Sequence, residues 1–103
     1  MIIPDKLKIF GYLYDVILNK ESDGRETLGQ LSGQSQKIFI LDSQHQQQKE
    51  STLFHEIFEA IDFHFELKLP HQTIAILETA LYQILSDNNL LDKGENKYGK
   101  EIR

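Results

Sequence analysis

The chain reads as an α+β protein: a small, mainly antiparallel sheet packed on two helices. Two observations predict this. Hydrophobic residues recur with period two before Asp42 and with helical period after it. Aromatic and β-branched residues, which suit a pleated surface, also dominate Tyr12–Leu18. At 103 residues there is room for one domain, expected over residues 1–89, with residues 90–103 as a charged, glycine-containing mobile tail.

Leu7-Lys8-Ile9-Phe10 alternates weakly and is broken by Gly11. From Tyr12 to Leu18 the alternation is clear, with Tyr12, Tyr14, Val16 and Leu18 on one side. Asn19–Arg25 is polar and contains Asp23-Gly24, a turn signal. Thr27–Leu31, the polar Ser32-Gly33-Gln34-Ser35 and Gln36–Leu41 then read as a hairpin. Asp42 or Ser43 is positioned to N-cap the first helix, which starts within Gln44–Lys49 and runs to about Leu67. Leu53, Phe54, Ile57, Phe58, Ile61 and Phe65 recur at helical spacing, and this face is expected to pack on the sheet. Pro70 ends that helix and opens the second, which runs to about Asp87 with Ile74, Leu77, Leu81, Ile84 and Leu85 as its apolar stripe.

Composition narrows the functional classes. The absence of cysteine excludes disulfides, thiolate metal sites and a cysteine nucleophile, so any metal must be held by His, Asp and Glu. A net charge of −5 argues against a nucleic-acid-binding face. No apolar run has the length of a membrane span, and Met1–Lys6 lacks the apolar stretch of a signal peptide. The expectation is a soluble cytoplasmic protein whose partners are neither membrane nor nucleic acid.

The segment that carries chemistry is Ser51–Ala60, with His55-Glu56-x-x-Glu59 on the first helix. It parallels the His-Glu-x-x-His pattern of zinc hydrolases. Positions i and i+4 lie one turn apart on one face, so His55 and Glu59 can reach one metal ion, while Glu56 is placed as general base. A third ligand is needed. Glu78 follows Glu59 after 18 intervening residues, enough to finish a helix, turn and return. Glu78 also sits inside the apolar stripe, about 40° from Ile74 on the wheel, where a carboxylate is costly unless paired or metal-bound. Asp62, one turn beyond Glu59, is the alternative ligand or a partner that orients His55. The same residues also suit a solvated acidic helix face, with Glu78 reaching solvent or a lysine. His64 points about 180° from His55 and is expected in solvent, as is His71 at its helix start; His45 has no readable role.

Three stretches, Gln36–Ile40 leading into the helix, Thr52–Ile61, and Leu77–Asn88, resemble small phage and prophage proteins of the zincin type, distantly similar to the ImmA/IrrE-like metallopeptidases. The resemblance covers roughly residues 6 to 89. It implies a minimal zincin-like fold, zinc at His55, Glu59 and Glu78, and Glu56 as catalytic base in a peptidase acting on peptide or protein. The chain departs from active peptidases of this group at Glu59, where they usually have His. A centre with one His and two carboxylates is formally neutral, polarises its water less, and admits Mn²⁺ or Fe²⁺ beside Zn²⁺. The strand Gln36–Leu41 would hold substrate by strand addition. The alternative is a catalytically inactive zincin-fold protein that binds another protein.

Overall fold

A computed structural model describes residues 1–20 and 27–91. The expected α+β architecture is present: strands β1 (Lys6–Ile9), β2 (Tyr12–Asn19), β3 (Gly29–Ser32) and β4 (Lys37–Leu41), then helices α1 (Gln46–Phe65) and α2 (His71–Asp87). The Asp23-Gly24 turn and the tail from Asp92 lie outside the described residues.

The strand order is β1-β2-β4-β3. β1 and β2 form a hairpin, with Leu7 opposite Tyr14, and β3 and β4 form the expected second hairpin, with Leu31 opposite Ile38. The join between the hairpins is parallel, β2 on β4, with Val16 opposite Ile38 and Leu18 opposite Ile40. The sheet is therefore mixed, with two antiparallel pairings of three. One consequence corrects the expected edge. Gln36–Leu41 is interior, and the exposed edges among the described strands are β1 and β3.

Both β1–β2 turn residues have positive φ, Phe10 at 53° and Gly11 at 85°. That is the type I′ pattern whose twist suits a two-residue hairpin. Alternation along the central strands puts Tyr14, Val16, Ile38 and Ile40 on one buried face. Leu53 and Ala60 of α1 close on it, with Ile9 at its edge and Ile57 packed alongside.

α1 therefore turns a different face to the sheet than its large apolar residues predict. Its buried residues are Glu50, Thr52, Leu53, Glu56 and Ala60, whereas Phe54, Phe58 and Ile61 are only half-buried and Phe65 is exposed. The reason is that α1 is flanked twice, by the sheet and by α2. Phe54 lies against Tyr82 of α2, with ring centroids 5.9 Å apart. Among the described residues α2 packs against α1 and against no strand. No helix among the described residues is long and apolar enough to cross a membrane.

The α1 cap also differs from expectation. The N-cap is His45, without a side-chain hydrogen bond. Asp42 instead pairs with Lys49 at 3.0 Å, and Gln44 donates to the carbonyls of Leu28 and Leu41 and accepts from Thr52.

Candidate metal centre

α1 and α2 run antiparallel, and a stripe of α1 at one-turn intervals, Ser51, His55 and Glu59, meets a stripe of α2 two turns long, from His71 to Glu78. The corner between them is built by Asp62. Its Oδ1 accepts the Leu69 amide at 2.9 Å, and its backbone carbonyl accepts the Leu67 and Glu66 amides that end α1 in a left-handed cap. Asp62 holds the turn and stands outside the donor group below.

The corner returns His71 over the last turn of the motif. Donor atoms of His55, Glu59 and His71 all lie within 4.8 Å of one another. His55 Nε2 is 3.3 Å from Glu59 Oε2, and His71 Nδ1 is 3.7 Å from the same oxygen. Bond lengths of about 2.0–2.2 Å in a tetrahedral zinc site put neighbouring donors roughly 3.3–3.6 Å apart. The His55–Glu59 and Glu59–His71 separations, 3.3 and 3.7 Å, lie near that spacing. Glu78 approaches the other side of the imidazole, with Oε1 3.4 Å from His55 Nδ1. It is 14 % exposed, accepts from Ser51 Oγ, and takes a 3.3 Å hydrogen bond from Thr79. The carboxylate in the apolar stripe thus has polar partners of its own.

Glu56 points away from this pair, toward the sheet. It is 5 % exposed, and a Cβ on Gly29 would lie 2.8 Å from its Oε2 and 2.5 Å from Thr52 Cγ2. Only a glycine lets β3 cross α1 so closely. Burial, and then the negative charge of Glu59, push the Glu56 carboxyl up to about 8. Among the described residues it has neither a hydrogen-bond nor an ion-pair partner. A cleft of about 270 Å³ opens above it, walled by Thr27-Leu28-Gly29 on one side, by Thr52, His55 and Glu56 on the floor, and by His71 and Glu78 opposite. Leu41 N–H donates to Leu28 C=O, so with Gly29 opposite Ile40 the amide and carbonyl of Gly29 and Leu31 point to the free edge of β3.

The sequence-predicted His55, Glu59 and Glu78 are thus brought together, and Glu56 lines the same cleft. The sequence places His71 only at an exposed helix start. It is indeed 76 % exposed, yet it joins the donor group. Its spacing of seven from Glu78, two turns on one face, was the signal available. His64 corrects its expectation outright: its Nε2 lies 2.7 Å from the hydroxyl of fully buried Tyr14, and its ring stacks on Tyr12 at 4.6 Å. Comparison of the chain with protein-family models, with curated proteins and with solved structures finds no match to any of them.

Proposed function

We propose that the protein is a metal-dependent, peptidase-like hydrolase of peptide or protein substrates, acting in the cytoplasm and belonging with the small zincin-type phage proteins. The observation that carries this reading is the convergence of His55, Glu59 and His71 donors at one end of a cleft floored by a buried carboxyl and walled by the edge strand β3.

His55 Nε2, Glu59 and His71 are the ligands this geometry favours, a two-His, one-carboxylate set with formal charge +1 when zinc is bound. Mn²⁺ or Fe²⁺ suit the same donors. Bound zinc supplies a Lewis acid that polarises a carbonyl and lowers the pKa of water. Glu78, on the opposite ring nitrogen, accepts the Nδ1 proton and fixes the tautomer of His55; the rival role, third ligand in place of His71, keeps Glu78 in the same pocket. Glu56 is the group that takes and returns a proton. The outward amide and carbonyl of Gly29 align an extended peptide along β3, which replaces Gln36–Leu41 as the strand-addition edge.

Isothermal titration of the metal-free protein with Zn²⁺ tests the reading. One site per chain is expected, abolished by Glu59→Gln and weakened at least tenfold by His71→Ala. Glu78→Gln keeps an acceptor for Nδ1–H, so an orienting Glu78 predicts a loss of roughly 10–100-fold. Complete loss with Glu78→Gln and none with His71→Ala would return the third ligand to Glu78. Absence of any zinc binding would sink the proposal.

A second reading is favoured by Glu56 itself, whose buried carboxyl holds its proton at neutral pH. In it the cleft binds an extended segment of another protein without hydrolysis. Glu56→Gln separates the two, since it abolishes cleavage of a mixed peptide substrate in the first and leaves binding intact in both.

A further inference from the structure

His55 has a carboxylate beside each of its ring nitrogens. Glu59 Oε2 is 3.3 Å from Nε2, and Glu78 Oε1 is 3.4 Å from Nδ1. A neutral imidazole carries one N–H, so it can donate to only one of them, and its other nitrogen stays bare. A metal ion takes a bare nitrogen, and which one is bare is set by the hydrogen bond the other makes. The nitrogen beside Glu59 is Nε2. For His55 and Glu59 to share an ion, the ring proton must therefore go to Glu78.

Glu78 is held for that task from one helical turn away. Ser51 stands four residues before His55, on the same stripe of α1. A serine inside a helix ordinarily faces solvent or bonds a carbonyl of its own helix. The Ser51 hydroxyl instead crosses to α2 and donates to Glu78 Oε2, 27 positions along the chain. With Oε2 engaged there, Oε1 is the oxygen turned to Nδ1. Thr79 gives Oε2 a second bond at 3.3 Å. It neighbours Glu78 on α2 and moves with it, so Ser51 is the group that fixes the carboxylate relative to His55. Glu59 has no comparable anchor. Among the described residues its polar contacts are the two imidazoles of His55 and His71, and its side chain is 29 % exposed against 14 % for Glu78.

We propose that Ser51 is a positioning residue: by anchoring Glu78 it places the proton of His55 on Nδ1 and leaves Nε2 bare, the state a metal ligand needs. The inference rests on the reading of His55 as a ligand through Nε2, but its effect on the ring exists before any metal arrives.

Nitrogen-15 NMR of the metal-free full chain, labelled at histidine and assigned with His55→Gln, distinguishes a protonated ring nitrogen from a bare one. At about pH 9, where imidazoles are neutral, the His55 ring of the wild type should be in the Nδ1–H form. Ser51→Ala should move the balance toward Nε2–H by about three- to tenfold, the scale of one lost hydrogen bond. Alanine is the best helix former, so the fold is retained. Ser51→Thr keeps the hydroxyl and should restore the wild-type ring. Titration with Zn²⁺ should show a loss of about tenfold for Ser51→Ala, the effect of removing an outer partner of a ligand. A wild-type ring in the Nε2–H form overturns the proposal. So does a ring indifferent to Ser51→Ala, even where that variant melts at a lower temperature, since that is the mark of a merely structural serine. The expected change of ring form in a chain that binds no zinc would uphold the role of Ser51 and sink the metal reading alone.

Discussion

Glu56 is the residue at which burial and charge conflict most sharply. Its carboxyl titrates near 8 in the folded chain against an ordinary value of 4.5. The folded state therefore holds this proton more tightly than the unfolded one. Its contribution is most favourable below about pH 4.5, is lost progressively as pH rises to about 8, and is constant above that. Glu56→Gln removes the dependence. Urea midpoints of the metal-free proteins should show the variant gaining on the wild type between pH 5 and pH 8.5; parallel pH curves would contradict the burial. A second residue-scale prediction concerns Tyr14, whose hydroxyl is buried against His64. Tyr14→Phe leaves the imidazole without that partner and should cost about 1–2 kcal/mol in the same assay. These residues also mark what a sequence makes legible. His55 and Glu59 are readable because one turn of helix fixes their relation. His64 is not, because its partner is 50 positions away and the wheel of its own helix points it to solvent. His71 falls between: its helix start is legible, but the corner built by Asp62 that swings it over Glu59 is not.

At the scale of elements, the boundaries of both helices and of the β3–β4 hairpin follow from period and turn chemistry to within two residues. Which way α1 faces does not. Its six large apolar residues form one wide face on the wheel, and the structure divides that face between two neighbours. Leu53 and Ile57, with small Ala60, go to the sheet, and Phe54 goes to α2. Leu53→Ala should accordingly cost about 2–5 kcal/mol, the range of a buried leucine truncation. Phe58→Ala, at a half-buried position outside the core, should cost less than Leu53→Ala. Equal denaturation midpoints for the two variants would show α1 to be rotated from its described position. The β3 crossing is the other element-scale feature. Gly29→Ala drives a methyl into Thr52 and Glu56, and a cost of about 1–3 kcal/mol is expected from overpacking. Since β3 is also the wall of the cleft, the same substitution should weaken peptide binding along that edge if the proposed strand addition operates there. The edge itself was hidden from sequence because the parallel β2–β4 pairing joins strands that are distant along the chain, and local patterning carries no information on that choice.

The whole molecule is a stack of three layers, sheet, α1 and α2, and the order matters more than the count. The core belongs to the first two layers. The third is attached by Ile74, by Phe54 against the Tyr82 ring, and by polar pairs, Tyr82 hydroxyl to Glu50 at 2.8 Å and Ser51 to Glu78. A layer held this way can detach without unfolding what lies beneath it. Amide hydrogen exchange should reveal two tiers of protection, with β2, β4 and α1 exchanging only through global opening and α2 exchanging faster, through a local excursion of its own. Two of the four side chains gathered at the candidate site, His71 and Glu78, ride on the faster tier. Each excursion of α2 would therefore dismantle the centre while leaving His55 and Glu59 in place. A ligand bound across the two tiers would in turn slow exchange in α2 far more than in the sheet. On this account the site is a clasp whose closing is a partial folding event, and its occupancy is written in the exchange rates of a single helix.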